Sequence, residues 1–366
     1  MKELLFDLLK FESTEEKPSK LYGIVDHLDM YFNEINVTTR MYEKNKKPSF
    51  VVTTKFTKSP KIFLSGHLDV VPADYDKAFE PYEKDGKIYA RGTSDMKGVD
   101  AAMITAVKEL VEEGADVDVG LMLTTDEEVG GFDGTNYLLE EQGYSSEVVF
   151  LPDGGEANWN VCLGEKGIFF VELESESSGG HGSRPWEVEN PLNNCWKVYK
   201  EIRDIFREKW GRISKEDNWK PTINLSSLHG GDSFNKVPNK AVMKLDIRFP
   251  ANTLTDSLMD ELLKNACNKY NITYKYVLTA SPASIDKDNQ YIKRWVEVSR
   301  SAIGSEPQFY NTHGGSDGRF FGAKGIPMLC VKPNASSMHV VNEWIDYEDL
   351  IRFKDVLKQW ILDSHK

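Results

Sequence analysis

The chain has 366 residues, more than a single hydrophobic core usually serves, and its 40% hydrophobic and 28% charged residues describe an ordinary globular protein with a polar surface. With 58 acidic against 45 basic side chains the formal charge is −13. That balance argues against nucleic acid or an anionic membrane as a partner, because such binding draws on clustered Lys and Arg, and it favours small-molecule chemistry.

From the N-terminus, Leu4, Leu5, Leu8 and Leu9, then Leu21, Ile24, Val25 and Leu28, recur at three-to-four spacing and predict helix over residues 1–33. Acidic residues interrupt this segment before any signal-like apolar stretch develops, and no apolar run reaches the roughly 18 residues of a membrane span, so a cytoplasmic location is expected. Short apolar runs at Pro48–Thr54, Lys61–Ser65, Val119–Thr125 and Glu147–Leu151 have strand length, and Val99–Glu112 is a run of good helix formers. Strands alternating with helices predict an α/β fold whose mostly parallel sheet is sandwiched by helices.

After Gly164-Glu-Lys-Gly167 the pattern changes. An alternating strand (Phe169–Glu174), a Gly-rich turn (Ser177–Ser183), a helix from about Pro191 to Lys209, strands at Thr222–Leu228 and Ala241–Phe249, a helix from about Leu254 to Tyr270 and a strand at Ile272–Leu278 make a small α+β layer of their own. It reads as a domain inserted at 167–283, dividing the first domain into 1–166 and 284–366. A helix (Tyr291–Ile303), a strand (Ile326–Val331) and a last helix (Tyr347–Leu362) complete the first domain.

Cys162, Cys195, Cys267 and Cys330 form no C-x-x-C pair and read as buried thiols, so any metal must be held by His and carboxylate. His67 and Asp69 stand where the apolar run from Lys61 ends. Asp95 lies in Ala90-Arg-Gly-Thr-Ser-Asp95-Met-Lys-Gly98, Glu127 and Glu128 follow the strand ending at Thr125, Asp153 lies in Leu151-Pro-Asp-Gly-Gly155, and His339 in Ser337-Met-His-Val340. Each follows or neighbours a strand end or loop, where open α/β sheets place ligand sites. Singly such acids are usually turn-formers; together with two histidines they match what a pair of Zn²⁺-like ions needs. Two metals require a bridging carboxylate, for which Asp95 is the natural choice, and an adjacent free carboxylate to take a proton from water. Consecutive Glu127 and Glu128 point differently on an irregular loop, so that one can bind metal and the other act as base.

These segments resemble the M20 family of metallo-aminoacylases and metallopeptidases, over essentially the whole chain. The resemblance implies, through S-G-H-x-D, that His67 binds one metal with Asp69 as the carboxylate behind it. R-G-x-x-D-M-K-G makes Asp95 the bridge, and D-E-E-x-G makes Glu127 the general base and Glu128 a ligand of the second metal. Asp153 and His339 would complete the two ligand sets. In the family the inserted segment is a lid and dimerisation domain, which implies a homodimer. His181, in Gly179-Gly-His-Gly-Ser-Arg-Pro185, matches the histidine that stabilises the oxyanion in the partner subunit's site. Asn235 and Arg248 match lid residues for the substrate, Arg248 being suited to two-point binding of a carboxylate. Gly315 and Ser316, in Gly314-Gly-Ser-Asp-Gly-Arg319, match a loop whose N–H groups meet the substrate carboxylate.

Where deacetylases and desuccinylases of the family commonly carry Gly-Glu-Pro, this chain has Pro152-Asp153-Gly-Gly, closer to dipeptidase-like members. The expected activity is hydrolysis of an amide bond beside a free carboxylate, in N-acyl-amino acids or short peptides, with two divalent ions, Zn²⁺ first and Co²⁺ or Mn²⁺ as alternatives. A dedicated dipeptidase or carboxypeptidase is the alternative, and a non-catalytic metabolite-binding homologue a remote one that the complete ligand set disfavours.

Overall fold

The computed structural model describes residues 1–154, 158–336 and 338–366. Gly155 and Ser337, which belong to two of the segments singled out above, lie outside the described residues. The chain divides into two compact units, Met1–Glu165 with Ala283–Lys366, and Lys166–Pro282.

The larger unit is built on a sheet whose centre is parallel. Val119–Thr124, Ile62–His67, Val148–Phe150 and Met328–Val331 lie side by side in that order, and all four are buried along their length. Their largely apolar character has a physical cause: helices cover both faces, so neither face is open to water. On one face Lys97–Glu112, Gln290–Ile303 and Tyr347–Ser364 bury Phe150, Trp295, Phe353 and Trp360 against one another, with ring centroids 5.3–6.2 Å apart. On the other, the short helices Thr135–Glu140 and Gly318–Ala323 close over Phe63, Met122 and Met328.

One edge of this sheet is antiparallel. Thr38–Lys44 and Lys47–Thr53 form a hairpin through Asn45 and Lys46, both left-handed (φ 48° and 64°), and it joins the sheet beside Val119–Thr124. The outer strand was not expected because an exposed edge strand carries no apolar run. The helix expected over 1–33 is two, Lys2–Leu9 and Pro18–Phe32, and Pro18 opens the second at a position where its missing N–H costs nothing.

The smaller unit is a four-stranded antiparallel sheet in the order Thr222–Gly230, Lys240–Phe249, Gly167–Glu176, Ile272–Ala280. Alternate residues of Lys240–Phe249 are buried, and they meet Val198, Ile202, Met259 and Leu263 from the helices Pro191–Trp210 and Asp256–Asn268. Asn190 and Thr255 cap those helices by accepting the N–H groups of Leu192 and Leu258. All four cysteines are free and buried, and no described helix is long and apolar enough to cross a membrane.

One glycine ties the fold to the segment bearing Asp95. A Cβ on Gly98, at the start of Lys97–Glu112, would lie 2.2 Å from the Thr93 carbonyl oxygen and 2.7 Å from Ile345 Cδ1. Gly98→Ala would gain roughly 1 kcal/mol of helix propensity, but overpacking costs about 1–3 kcal/mol and here presses on backbone. The expected outcome is a net loss of stability, read as a lower urea midpoint; an unchanged or higher midpoint would show that the 93–98 turn can give way.

Candidate metal centre

Because the central strands run in parallel, their carboxyl ends finish together and bring the segments that follow them to one place. His67 is the last residue of Ile62–His67, Asp153 follows Val148–Phe150, and Glu127 and Glu128 open a short 3-10 turn after Val119–Thr124. His67 Nε2 lies 3.2 Å from Asp95 Oδ1 and 3.9 Å from Asp153 Oδ1. His339 Nε2 lies 2.9 Å from the other Asp95 oxygen, Oδ2, and 3.4 Å from Glu128 Oε1. Two triads result, His67–Asp95–Asp153 and Asp95–Glu128–His339, the donor atoms of each within 4.8 Å of one another, and Asp95 is common to both.

The donor set fits two divalent cations. Glu128 Oε1 is buried with His339 Nε2 3.4 Å away, and the three carboxylates offer more acceptors than the two imidazoles supply donors, an arrangement that is costly unless cations enter it. His67 Nδ1 donates to the Asp69 carbonyl oxygen at 3.0 Å, which fixes the tautomer that leaves Nε2 free to bind metal. The Asp69 carboxylate itself is turned toward the next loop. Its Oδ1 accepts the N–H of Glu127 (3.3 Å) and its Oδ2 that of Glu128 (3.0 Å), while Oδ1 also stands 3.5 Å from His67 Nδ1. Asp69 therefore sets the orientation of both glutamates as well as backing the histidine. His339 holds its place with a left-handed backbone, φ 62°.

Electrostatics follow from this crowding of acids. Burial alone would lower the His67 pKa, but Asp153, Asp69 and Asp95 raise it well above 6.5. Hydrogen bonds to Asp95 and Glu128 push His339 up to about 10. Burial works to raise Asp95, yet the two imidazoles hold it well below the usual carboxylate range. Glu127 goes the other way: burial, reinforced by the charge of Asp153, lifts it well above 4.5. A cavity of about 140 Å³ is lined by Asp95, Glu127, Glu128, Asp153, Gly315 and His339 among others.

Ser316 also lines this cavity, but its N–H, expected to face a substrate carboxylate, is already given to Glu165 Oε2 at 3.0 Å, and its hydroxyl donates to the same oxygen at 2.8 Å. Glu165 also lines the cavity, although in the sequence its segment marks only a change of pattern; burial raises its pKa to about 8. The signal for it is an acid set beside glycine in Gly164-Glu-Lys-Gly167. Glu343, four residues beyond His339, carries no such signal in the sequence.

Three further expected residues lie in the smaller unit. His181 sits on the short strand Gly180–His181, paired with Lys236–Val237, so the turn bearing it and the turn bearing Asn235 are joined; the Gly182 N–H donates to the Asn235 carbonyl oxygen at 2.7 Å. The His181 ring is exposed, and its Nδ1 is 2.8 Å from Ser183 Oγ. Arg248, on Lys240–Phe249, donates from Nε to Asp246 Oδ1 at 2.7 Å and lies over the Phe170 ring, so its guanidinium is already engaged.

A family model described as peptidase family M20/M25/M40 matches residues 63–363. The succinyl-diaminopimelate desuccinylase of Rickettsia bellii (strain RML369-C) is 25% identical over 382 residues, covering 98% of this chain and 95% of its own. Among solved structures, aminopeptidase PepT from Bacillus cereus ATCC 10987 superposes with a TM-score of 0.79 at 17% identity, covering 100% of this chain and 99% of that one. The Bacillus subtilis YXEP protein, described as a dinuclear metal binding peptidase, gives a TM-score of 0.69 at 14% identity, with 99% and 96% covered.

The raised imidazoles have a measurable consequence. Both histidines take up protons in the metal-free fold, so their contribution to its stability is complete below pH 6.5 and is lost as pH rises toward about 10, the value for His339. Divalent cations must displace those protons. Calorimetric titration of the metal-free protein at pH 7, in buffers of different ionisation enthalpy, is expected to show proton release with metal uptake and an affinity that climbs with pH. Uptake without proton release would contradict the cluster described.

Proposed function

The chain belongs to peptidase family M20/M25/M40, and from that premise we propose that it is a two-metal hydrolase of amide bonds adjacent to a free carboxylate, in N-acyl-amino acids or short peptides. The observation that carries this reading is the sharing of Asp95 between two ligand triads. His67 and Asp153 would hold one ion and Glu128 and His339 the other, with Zn²⁺ the first choice for a mixed imidazole and carboxylate set and Co²⁺ or Mn²⁺ the alternatives. Bound there, the ions would supply Lewis acidity toward the scissile carbonyl and toward the attacking water.

The chain's own residues do the rest. Glu127 faces the same cavity and is held by its N–H to Asp69, so its carboxylate can take the proton of the attacking water and deliver it to the departing amine nitrogen. Its raised proton affinity suits a group that must both accept and return a proton. His181 of a second copy, Asn235 and Arg248 enter through the family pattern, His181 as donor to the oxyanion and the other two as groups that fix the substrate's carboxylate and backbone. Gly315, on the cavity wall, is the backbone donor of the Gly-rich loop, since Ser316 is engaged by Glu165.

Between deacylase and peptidase, the similarity to a desuccinylase favours an N-acyl-amino acid as substrate. A panel of N-acetyl and N-succinyl amino acids against dipeptides, with the metal-loaded enzyme, decides; faster turnover of dipeptides would reverse the choice. Glu127→Gln is expected to keep both metals and lower kcat by about 10²–10⁴-fold. Near-normal kcat in a fully metallated Glu127→Gln enzyme would remove Glu127 from its role.

A further inference from the structure

Glu343 is 1% exposed and lies four residues beyond His339, in no segment to which the sequence reading gave chemistry. Its Oε1 accepts the N–H groups of Ser94 (2.7 Å) and Asp95 (3.0 Å), and its Oε2 accepts Arg91 Nη1 at 2.7 Å. Gly92 has φ +88°, a conformation that L side chains rarely adopt, and just after this turn the N–H groups of Ser94 and Asp95 converge on the one oxygen Oε1. Such a concave run of N–H groups elsewhere cradles bound anions. Here the anion is the chain's own carboxylate.

We propose that Glu343 is a positioning residue that aims the Asp95 carboxylate at both halves of the metal centre, a proposal that rests on the two-metal reading above. Asp95 must present Oδ1 toward His67 and Oδ2 toward His339 at once, and the direction of its side chain is set by the backbone of the 91–95 segment. That backbone is held by Glu343. The same short stretch carries His339, and it passes directly into Trp344–Asp346, which pairs with Lys87–Tyr89, the strand leading into Arg91. The bridging ligand and the second metal's histidine thereby belong to one braced assembly. Without the carboxylate, buried N–H groups would lose their partner, and the 91–95 segment would turn to find others.

This makes the expected effect specific. Asp95 serves both ions, so a change at Glu343 weakens both together, although Glu343 touches neither ligand set's donor atoms. The experiment is titration of the metal-free protein with Co²⁺, followed by calorimetry and by the visible spectrum of the bound ion. Glu343→Ala is expected to weaken both equivalents by about 10–100-fold and to shift the visible bands. Glu343→Gln keeps an oxygen within reach of Ser94 and Asp95 and is expected to recover most of the affinity. Arg91→Met removes the ion pair and costs stability but leaves the N–H contacts, so its Co²⁺ affinity and spectrum should stay close to those of the wild type. Should Glu343→Ala fail to fold, Glu343→Asp keeps the charge and withdraws the oxygens from the N–H groups, and it should weaken both equivalents in the same sense. Unchanged affinities and spectrum in the Ala or Asp variant would overturn the proposal, as would an equal loss in Arg91→Met. A wild-type protein that takes up fewer than two ions would instead overturn the two-metal reading.

Discussion

Asp95 sets one carboxylate oxygen 3.2 Å from His67 Nε2 and the other 2.9 Å from His339 Nε2, and the rest of the larger unit is arranged so that this carboxylate stays buried and pointed both ways. Asp69, Asp95 and Asp153 are each at most 5% exposed, with Glu127 and Glu128 close by. Burying that much like charge is costly unless cations enter, and the proposed pair of metal ions would offset that cost. The backbone meets this constraint in an economical way. Parallel strands deliver His67, Asp153, Glu127 and Glu128 to a common end, and buried carboxylates bind loop N–H groups, Asp69 those of Glu127 and Glu128 and Glu343 those of Ser94 and Asp95.

The chemistry follows from a division of labour among neighbouring acids. Asp95 is held ionised by two imidazoles, whereas Glu127, one residue before Glu128, is held in a setting that favours its protonated form. Two carboxyl groups with proton affinities driven apart are what hydrolysis asks of a ligand and a proton carrier. Glu165 adds a third environment, a buried carboxyl that takes both donors of Ser316 and so shapes the Gly-rich loop from within rather than leaving that N–H for a ligand.

Much of this was legible in the residues because the strongest signals are local. The largely apolar strands Ile62–His67 and Val119–Thr124 read as buried parallel strands, and the histidine that ends the first and the acids just past the second read as site residues by position. The edge strand Thr38–Lys44 escaped because its burial is slight and its residues polar. The clamp at Glu343 escaped for a different reason: its partners are backbone N–H groups some 250 positions earlier, at separations of 248 and 249, and no spacing or periodicity records such a contact. The engagement of Ser316 by Glu165 is likewise a long-range pairing, across 151 positions. Local pattern fixes elements and strand-end chemistry; which donor answers which acceptor is decided by packing.

Metal stoichiometry in Asp95→Asn tests most directly whether one carboxylate unites the two triads. The wild-type chain should bind two divalent ions tightly, and Asp95→Asn, with the fold intact by circular dichroism, should lose tight binding of both, since the amide cannot bridge as an anion. Retention of one tightly held ion by Asp95→Asn, at wild-type affinity, would contradict a shared ligand and reduce the centre to two independent sites.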